Sequence, residues 1–363
     1  MNITGRTNLL NELAGGFRLP SDRQLWSATL KLKRNLALVC RTFRRLSQRF
    51  LYETIIYDGA QGILKKLRTN DCGRFVKSIL FRPIGSRITS EDISELYQIC
   101  RNLEEVSVYP LALAGQPSPH PSQIFGPLPH TVFAIAWIQH FLTPMNFFIP
   151  ATLGHLRMLT IMSTYNVFAD ASMCLPHVET VHVRSSCRFP DSRWSLPSLK
   201  YLRIVYTRTD SFDRSLVNPR LQHFVKSHAQ QLLTLCLDVP NPLPLITQED
   251  LCTDMLLECN NVKVLLVSHV LALFLPRIVP QWTLPSLRCV VIMLNESYLV
   301  DLTDFMRIWN GFHAHDKFSH IEHFVVLHHH SMLASVDLEH IYDMCGYDGR
   351  LSFQCRSDFV ANY

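Results

Sequence analysis

Seven histidines gather at positions 313, 315, 320, 323, 328, 329 and 330, and neutral imidazole is a common metal ligand. The run His320-Ile321-Glu322-His323 suggests zinc at first glance. A metalloprotease helix, however, places its two histidines four residues apart with glutamate after the first, and here they are three apart. We read these histidines as a solvated strand edge and assign no metal ligand. A second group, His182, Arg184, Tyr201 and Arg203, points to recognition: guanidinium groups pair carboxylate or phosphate bidentately, which suits an acidic or phosphorylated segment of a protein substrate. The same four residues also fit an ordinary polar surface. The chain lacks the Gly-rich phosphate loops and the Gly-x-Ser-x-Gly nucleophile turn. Nothing nominates a nucleophile or an acid pair, so we expect no catalytic residue, no cofactor, and a protein that binds and does not catalyse.

The binding candidates lie in a phrase, apolar-x-x-apolar-x-apolar, that runs through most of the chain. Its first residues are Val76, Leu103, Val132, Leu156, Val178, Leu199, Leu232, Val262, Leu287 and Ile321, spaced between 21 residues (Val178 to Leu199) and 34 residues (Leu287 to Ile321). The last two apolar positions, two apart, share one face of a strand, and the first anchors the turn into it. Residues alternating with the buried ones, His182, Arg184, Tyr201 and Arg203 among them, are then expected on an open concave surface. Helical spacing recurs between phrases, at 91–100, 221–231, 248–259, 298–309 and 338–344. Strand then helix, repeated at this period, predicts parallel strands with helical returns, the pattern of leucine-rich repeats. A generic α/β domain with similar strands is the alternative.

Local punctuation agrees. Proline precedes several phrases, as in Leu196-Pro197-Ser198-Leu199 and Leu284-Pro285-Ser286-Leu287, which stops a helix and sets an extended approach to the strand. Cysteine and asparagine take that place in Cys100-Arg101-Asn102-Leu103 and Cys259-Asn260-Asn261-Val262. Five prolines make 116–129 the clearest loop, and residues 351–355 are expected to add a capping strand.

Composition sets the class. With 47% hydrophobic and 18% charged residues the chain folds over most of its length, and a net charge of +5 does not call for nucleic acid or membrane. Eleven cysteines, with no Cys-x-x-Cys pair, give neither a zinc signature nor a disulfide framework. Most sit in apolar runs as small hydrophobes, and no secretory signal opens the chain, so a cytoplasmic or nuclear protein is expected. The most apolar stretch, 262–279, is interrupted by Lys263, His269, Pro276 and Arg277 and is too short for a bilayer span.

Residues 36–56 form an amphipathic, basic helix and a following strand: Leu36, Val39, Cys40, Phe43 and Phe50 share one face, while Arg41, Arg44, Arg45 and Arg49 mostly line the other. The arginines read as a solvated face, with no aromatic interleaving for nucleic acid. This Leu-Val-Cys-Arg-x-aromatic helix, followed by Leu51-Tyr52 and then repeats with Cys-x-Asn-Leu starts, resembles an F-box/leucine-rich-repeat protein of the fungal F-box-like type. Leu19-Pro20-Ser21-Asp22 matches the opening of an F-box, but residues 23–33 are short and polar where its first helix belongs, so the N-terminal half is degenerate. The resemblance implies that Leu36, Val39, Cys40, Phe43, Leu46 and Leu51 dock a Skp-type adaptor, and that the repeats hold an unknown protein substrate for a ubiquitin ligase. The alternative is a repeat scaffold whose N-terminal helix folds back as a cap, and exposure of Val39, Phe43 and Leu46 decides between them. The expected fold class is α/β: an irregular leucine-rich-repeat solenoid with a curved parallel sheet and outer helices, preceded by a small helical F-box-like segment. Its division is a tail (1–18), the F-box-like segment (19–58), repeats (59–345) and a C-terminal cap or tail (346–363).

Overall fold

The computed structural model describes residues 35, 38–59, 61–69, 71–82, 88–109, 124–125, 128–139, 154–163, 173–184, 194–206, 219–238, 258–273, 284–294, 302–313, 320–328 and 351–355. The chain divides into two compact units, Arg18–Leu199 and Lys200–Tyr363. The expected helices at 248–259 and 338–344, and most of the proline-rich loop, lie outside the described residues. Every one of the ten phrases is a strand.

In Arg18–Leu199, helix α1 (Arg41–Tyr52) leads into β1 (Thr54–Tyr57), α2 (Gln61–Thr69), β2 (Ser78–Phe81), α3 (Ser90–Ile99) and β3 (Glu105–Val108), then β4 (Ala134–Gln139), β5 (Met158–Ser163) and β7 (Thr180–Arg184). These strands pair in parallel in sequence order. Two short strands, β6 (Met173–Cys174) and β8 (Trp194–Ser195), form a second small parallel ladder. In Lys200–Tyr363 the order is β9 (Tyr201–Val205), α4 (Pro219–His228), β10 (Thr234–Asp238), β11 (Val264–Ser268), the single turn α5 (His269–Ala272), β12 (Cys289–Met293), α6 (Leu302–His313), β13 (His323–His328) and β14 (Leu351–Cys355). Its strands are again parallel and sequential, with β14 as the expected C-terminal strand. Parallel neighbours joined by returns of this length are the irregular leucine-rich-repeat solenoid expected from the phrase spacing. No helix among the described residues is long and apolar enough to cross a membrane.

The turns explain the phrase. The anchor amide donates to the carbonyl three residues back in Val76 to Gly73, Leu103 to Cys100, Val178 to Leu175, Leu199 to Leu196, Val262 to Cys259 and Leu287 to Leu284. Pro176, Pro197 and Pro285 therefore occupy the second position of a tight turn, where their fixed φ is already suited, and the approach is a turn and not an extended segment. The third position carries a donor: the Asn102 amide reaches the Arg74 carbonyl at 2.7 Å, Ser198 Oγ reaches the Pro176 carbonyl at 2.6 Å, and the Asn261 amide reaches the Gln230 carbonyl at 2.5 Å. Each turn is thus tied to the turn before it.

One residue beyond the anchor, a single carbonyl accepts two amides from the next repeat. The Glu53 carbonyl takes the N–H of Lys77 and Ser78, and that of Lys77 takes Glu104 and Glu105. In the second unit Leu233 takes Lys263 and Val264, and Lys263 takes Arg288 and Cys289. This fixes the phase of the strands it joins, so the same face of each receives the anchor-side apolar residues.

Helix α3 is closed by a reciprocal capping box between Thr89 and Asp92. Aromatic edges fill the core of the first unit, Tyr57 on Phe81 at 5.9 Å and Phe81 on Tyr97 at 6.2 Å. At the end of the proline-rich stretch Ile124 and Phe125 are fully buried, the Tyr97 hydroxyl donates to the Ile124 carbonyl, and Phe125 meets Trp137. In the second unit Trp309 and Phe312 of α6 close on Phe324 of β13 at 5.4 and 5.2 Å.

The expectation of an open concave surface is not met over most of the described strands. In Lys200–Tyr363, Tyr201, Cys236, Leu266, Val291, Met293, Val325 and Leu327 form a buried apolar cluster, and the opposite face, with Leu202, Leu235, Leu265, Val290 and Phe324, is buried too. Strands enclosed on both faces read as near-continuous hydrophobic runs, as Val290-Val291-Ile292 does. Alternating residues stay half-buried at Ser78, Leu80 and Glu105 in the first unit and at the strand starts Thr234, Val264 and Cys289 in the second.

Candidate functional site

Helix α1 starts against electrostatics. Its first turn has no acidic residue, and Cys40 supplies the cap, its Sγ accepting the Phe43 amide at 3.4 Å. A thiol is a weak acceptor and basic residues oppose the helix dipole at this end, so the helix depends on packing for its stability. Ser47 is buried, Leu51 and Tyr52 are half-buried, and the helix rests on the 3-10 turn Cys72–Phe75. The Tyr52 side chain hydrogen-bonds Cys72, whose thiol burial nevertheless pushes above its ordinary value.

The single helix expected to carry one apolar face from Leu36 to Phe50 is interrupted at Cys40, whose backbone is extended: Leu38 and Val39 precede α1, while Phe43 and Phe50 lie on it, flanking the buried Ser47 on the same face, and all four apolar residues are exposed. Leu38 is 75% exposed, Val39 67%, Phe43 47% and Phe50 55%. They account for four of the five exposed large hydrophobic residues found among the described residues, the fifth being Leu233. Cys40 and Arg41 are exposed beside them. Of the residues expected to dock the adaptor, Val39, Cys40 and Phe43 are exposed and Leu51 is half-buried; Leu36 and the Leu46 side chain lie outside the described residues. A groove of about 480 Å3 runs beside the C-terminal end of the helix, lined in part by Arg49, Glu53, Phe75, Lys77 and Glu104. Its charges are largely matched, with Lys77 Nζ 3.0 Å from Glu104.

The four residues expected to hold a substrate are differently placed. His182 and Arg184 belong to the first unit, Tyr201 and Arg203 to the second, and all four are buried. His182 Nδ1 lies 3.5 Å from Thr160 Oγ1. Arg203 donates to Asp238 at 2.6 Å. That guanidinium already holds a carboxylate of its own chain, so it is not presented to a partner's. Among the C-terminal histidines, His320 Nε2 meets the Leu284 carbonyl at 3.2 Å and His323 is exposed at the start of β13. Among the described residues no group of three or more His, Cys, Asp or Glu side chains is arranged to hold a metal ion.

No known protein-family signature matches the chain, and no curated protein matches it in sequence. A solved structure, that of the Toll–Spatzle complex from Drosophila, is similar at 15% identity and a TM-score of 0.38. The match covers 68% of this chain and 31% of that one. Likeness at this level carries no argument, and the fold reading rests on the strand register and the turns described above.

Proposed function

We propose that the chain is a non-enzymatic protein-interaction module, an F-box-like substrate receptor in which α1 docks a Skp-type adaptor and the repeats hold a protein target. The observation that carries the reading is the exposure of Leu38, Val39, Phe43 and Phe50 on one short segment. A monomer seldom leaves such a stripe open without a partner for it. A helix serving only as a cap would bury Phe43 and Phe50, both of which are about half exposed. The receptor catalyses nothing, and its contribution to ubiquitin transfer is proximity and orientation.

The test is co-purification of a Skp-type adaptor with the wild-type chain and with Val39→Asp/Phe43→Asp, circular dichroism reporting the fold. The reading expects adaptor retained by wild type and lost by a still-folded variant. Failure of the wild type to retain adaptor removes the ubiquitin-ligase role and leaves a leucine-rich-repeat scaffold with another partner on α1.

A further inference from the structure

Charge is unevenly spread along the chain. Between residues 35 and 82 stand ten lysines and arginines against three acids, Glu53, Asp58 and Asp71, a net +7, whereas the whole chain carries +5. The positive excess therefore belongs to the stretch that holds α1 and α2, and the rest of the chain is slightly acidic. The two helices, separated in sequence by β1, pack on the same 3-10 turn, Cys72–Phe75, so their cations share one region of the first unit. Some of the charge is already matched: Arg74 pairs with Asp71 at 3.1 Å, Lys77 with Glu104 at 3.0 Å, and Arg68 of α2 with Glu95 of α3. Arg41 and Arg49 of α1 and Lys65 and Lys66 of α2 are exposed and form no ion pair among the described residues. Arg41 follows the exposed Leu38, Val39 and Cys40 directly and Arg49 adjoins Phe50, so a cation stands at each end of the apolar surface.

We infer that the partner docked by α1 is acidic: an amphipathic helix whose apolar side covers Val39, Phe43 and Phe50 and whose flanking carboxylates meet Arg41, Arg49, Lys65 and Lys66. Helices pack side by side through such apolar ridges, and charges beside the seam choose the partner. A match of opposite charge over a basic surface also speeds encounter and rejects basic competitors. The inference rests on α1 as a docking helix and adds the charge of its partner; it does not require that partner to be a ubiquitin-ligase adaptor. An anionic lipid surface fits less well. It takes up one continuous apolar face lying in its plane, whereas extended Cys40 sets Leu38 and Val39 apart from the helix, and Phe43 and Phe50 flank a buried serine. Nucleic acid answers the cations but leaves Leu38 and Val39 with only phosphate to meet.

Fluorescence anisotropy of the full chain tests it with two labelled amphipathic helical peptides that share their leucines, one with glutamate and one with lysine at the polar positions. A labelled oligothymidine and phosphatidylserine–phosphatidylcholine vesicles serve as the other anionic probes. The glutamate peptide is expected to bind about tenfold or more tighter than its lysine counterpart, with an affinity that falls as salt is raised. Arg41→Glu/Arg49→Glu and Lys65→Glu/Lys66→Glu are each expected to weaken it about tenfold; an acid at position 41 suits the start of α1, so the first of these losses is not one of helix. Arg157→Glu/Lys263→Glu, at exposed positions away from both helices, makes the same change in net charge and is expected to leave the affinity within a small factor. No binding of the glutamate peptide, equal affinity for the two peptides, or equal effects of the three charge reversals overturns the proposal. Tighter binding of the oligothymidine or the vesicles than of the glutamate peptide overturns the choice of a protein partner. The two readings fail separately: a charge-blind peptide result with adaptor still retained removes this inference alone, and loss of adaptor retention with the charge preference intact removes the ubiquitin-ligase role alone.

Discussion

The Arg203 guanidinium donates to the Asp238 carboxylate over 2.6 Å, joining the middle of β9 to the last residue of β10 within an otherwise apolar face. Burial alone pushes the arginine pKa down, but the Asp238 charge outweighs it and the group is held above its ordinary range, so it stays charged. Removing one partner strands the other. Asp238→Leu is expected to lose about 3–5 kcal/mol of stability, while Arg203→Met/Asp238→Leu recovers most of it. Denaturant titration of the single and double variants measures this as a coupling energy. A Asp238→Leu loss within the range of an ordinary surface change removes the account.

Cys100 and Cys259 occupy the first position of equivalent turns, and burial pushes both thiols from 9.0 up to about 12. The unfolded chain ionises them near 9.0 whereas the folded chain keeps the protons to about 12. Their contribution to stability is therefore complete below the unfolded value and falls away as pH rises from 9 toward 12. Maleimide at neutral pH should modify the exposed Cys40 and Cys174 quickly and reach Cys100 and Cys259 only on unfolding. Mass spectrometry of the labelled chain reads the order directly, and Cys100→Ala/Cys259→Ala is expected to flatten the alkaline decline in stability.

Two glycines should respond oppositely to alanine. A Cβ on Gly73 would collide with the Ile99 side chain and come within 2.6 Å of the Ile99 carbonyl oxygen, so Gly73→Ala is expected to destabilise by about 1–3 kcal/mol and to loosen the turn on which α1 rests. A Cβ on Gly62, in the first turn of α2, meets nothing within 4 Å, and Gly62→Ala is expected to stabilise by up to about 1 kcal/mol. Thermal melts of the two variants compare them; a shift of the same sign in both contradicts the packing described.

Phenylalanine position separates the docking helix from the core. Phe43 is 47% exposed and Phe81 fully buried. Phe43→Asp is expected to change stability by less than about 0.5 kcal/mol, and Phe81→Ala to lose about 3–5 kcal/mol. A large loss from Phe43→Asp, measured by denaturant unfolding, would mean that α1 packs on its apolar side.

Much of the fold was legible because the anchor and the two strand positions impose a local, short-period pattern: every phrase from Val76 to Ile321 became a strand, and residues 351–355 added the last one. The helix expected at 298–309 appears as Leu302–His313, and that at 221–231 as α4 with a 3-10 extension. What local pattern missed was long-range. Arg203 reads as an outward residue of Tyr-Leu-Arg-Ile-Val because its partner Asp238 lies 35 residues away. The prolines before Leu199 and Leu287 signalled an extended approach, whereas the hydrogen bond from each anchor to the residue three back makes a turn. Asn102 and Asn261 looked like a partial motif, and their bonds to Arg74 and Gln230 show what the asparagine does. The amphipathicity of α1 was legible, but the break at Cys40, whose extended backbone and Sγ cap start the helix at Arg41 and leave Leu38 and Val39 before it, was not.

The junction built from one carbonyl and two amides makes neighbouring repeats interchangeable parts. Excising residues 263–287 would set Val262 directly before Arg288, bringing the Arg288 and Cys289 amides to the Leu233 carbonyl that Lys263 and Val264 use now. No strand would change face. Such a chain can gain or lose whole units by duplication or deletion at the joint, while the returns absorb insertions of any length the surface tolerates; its length is a free variable, and its irregular spacing is what that freedom leaves behind.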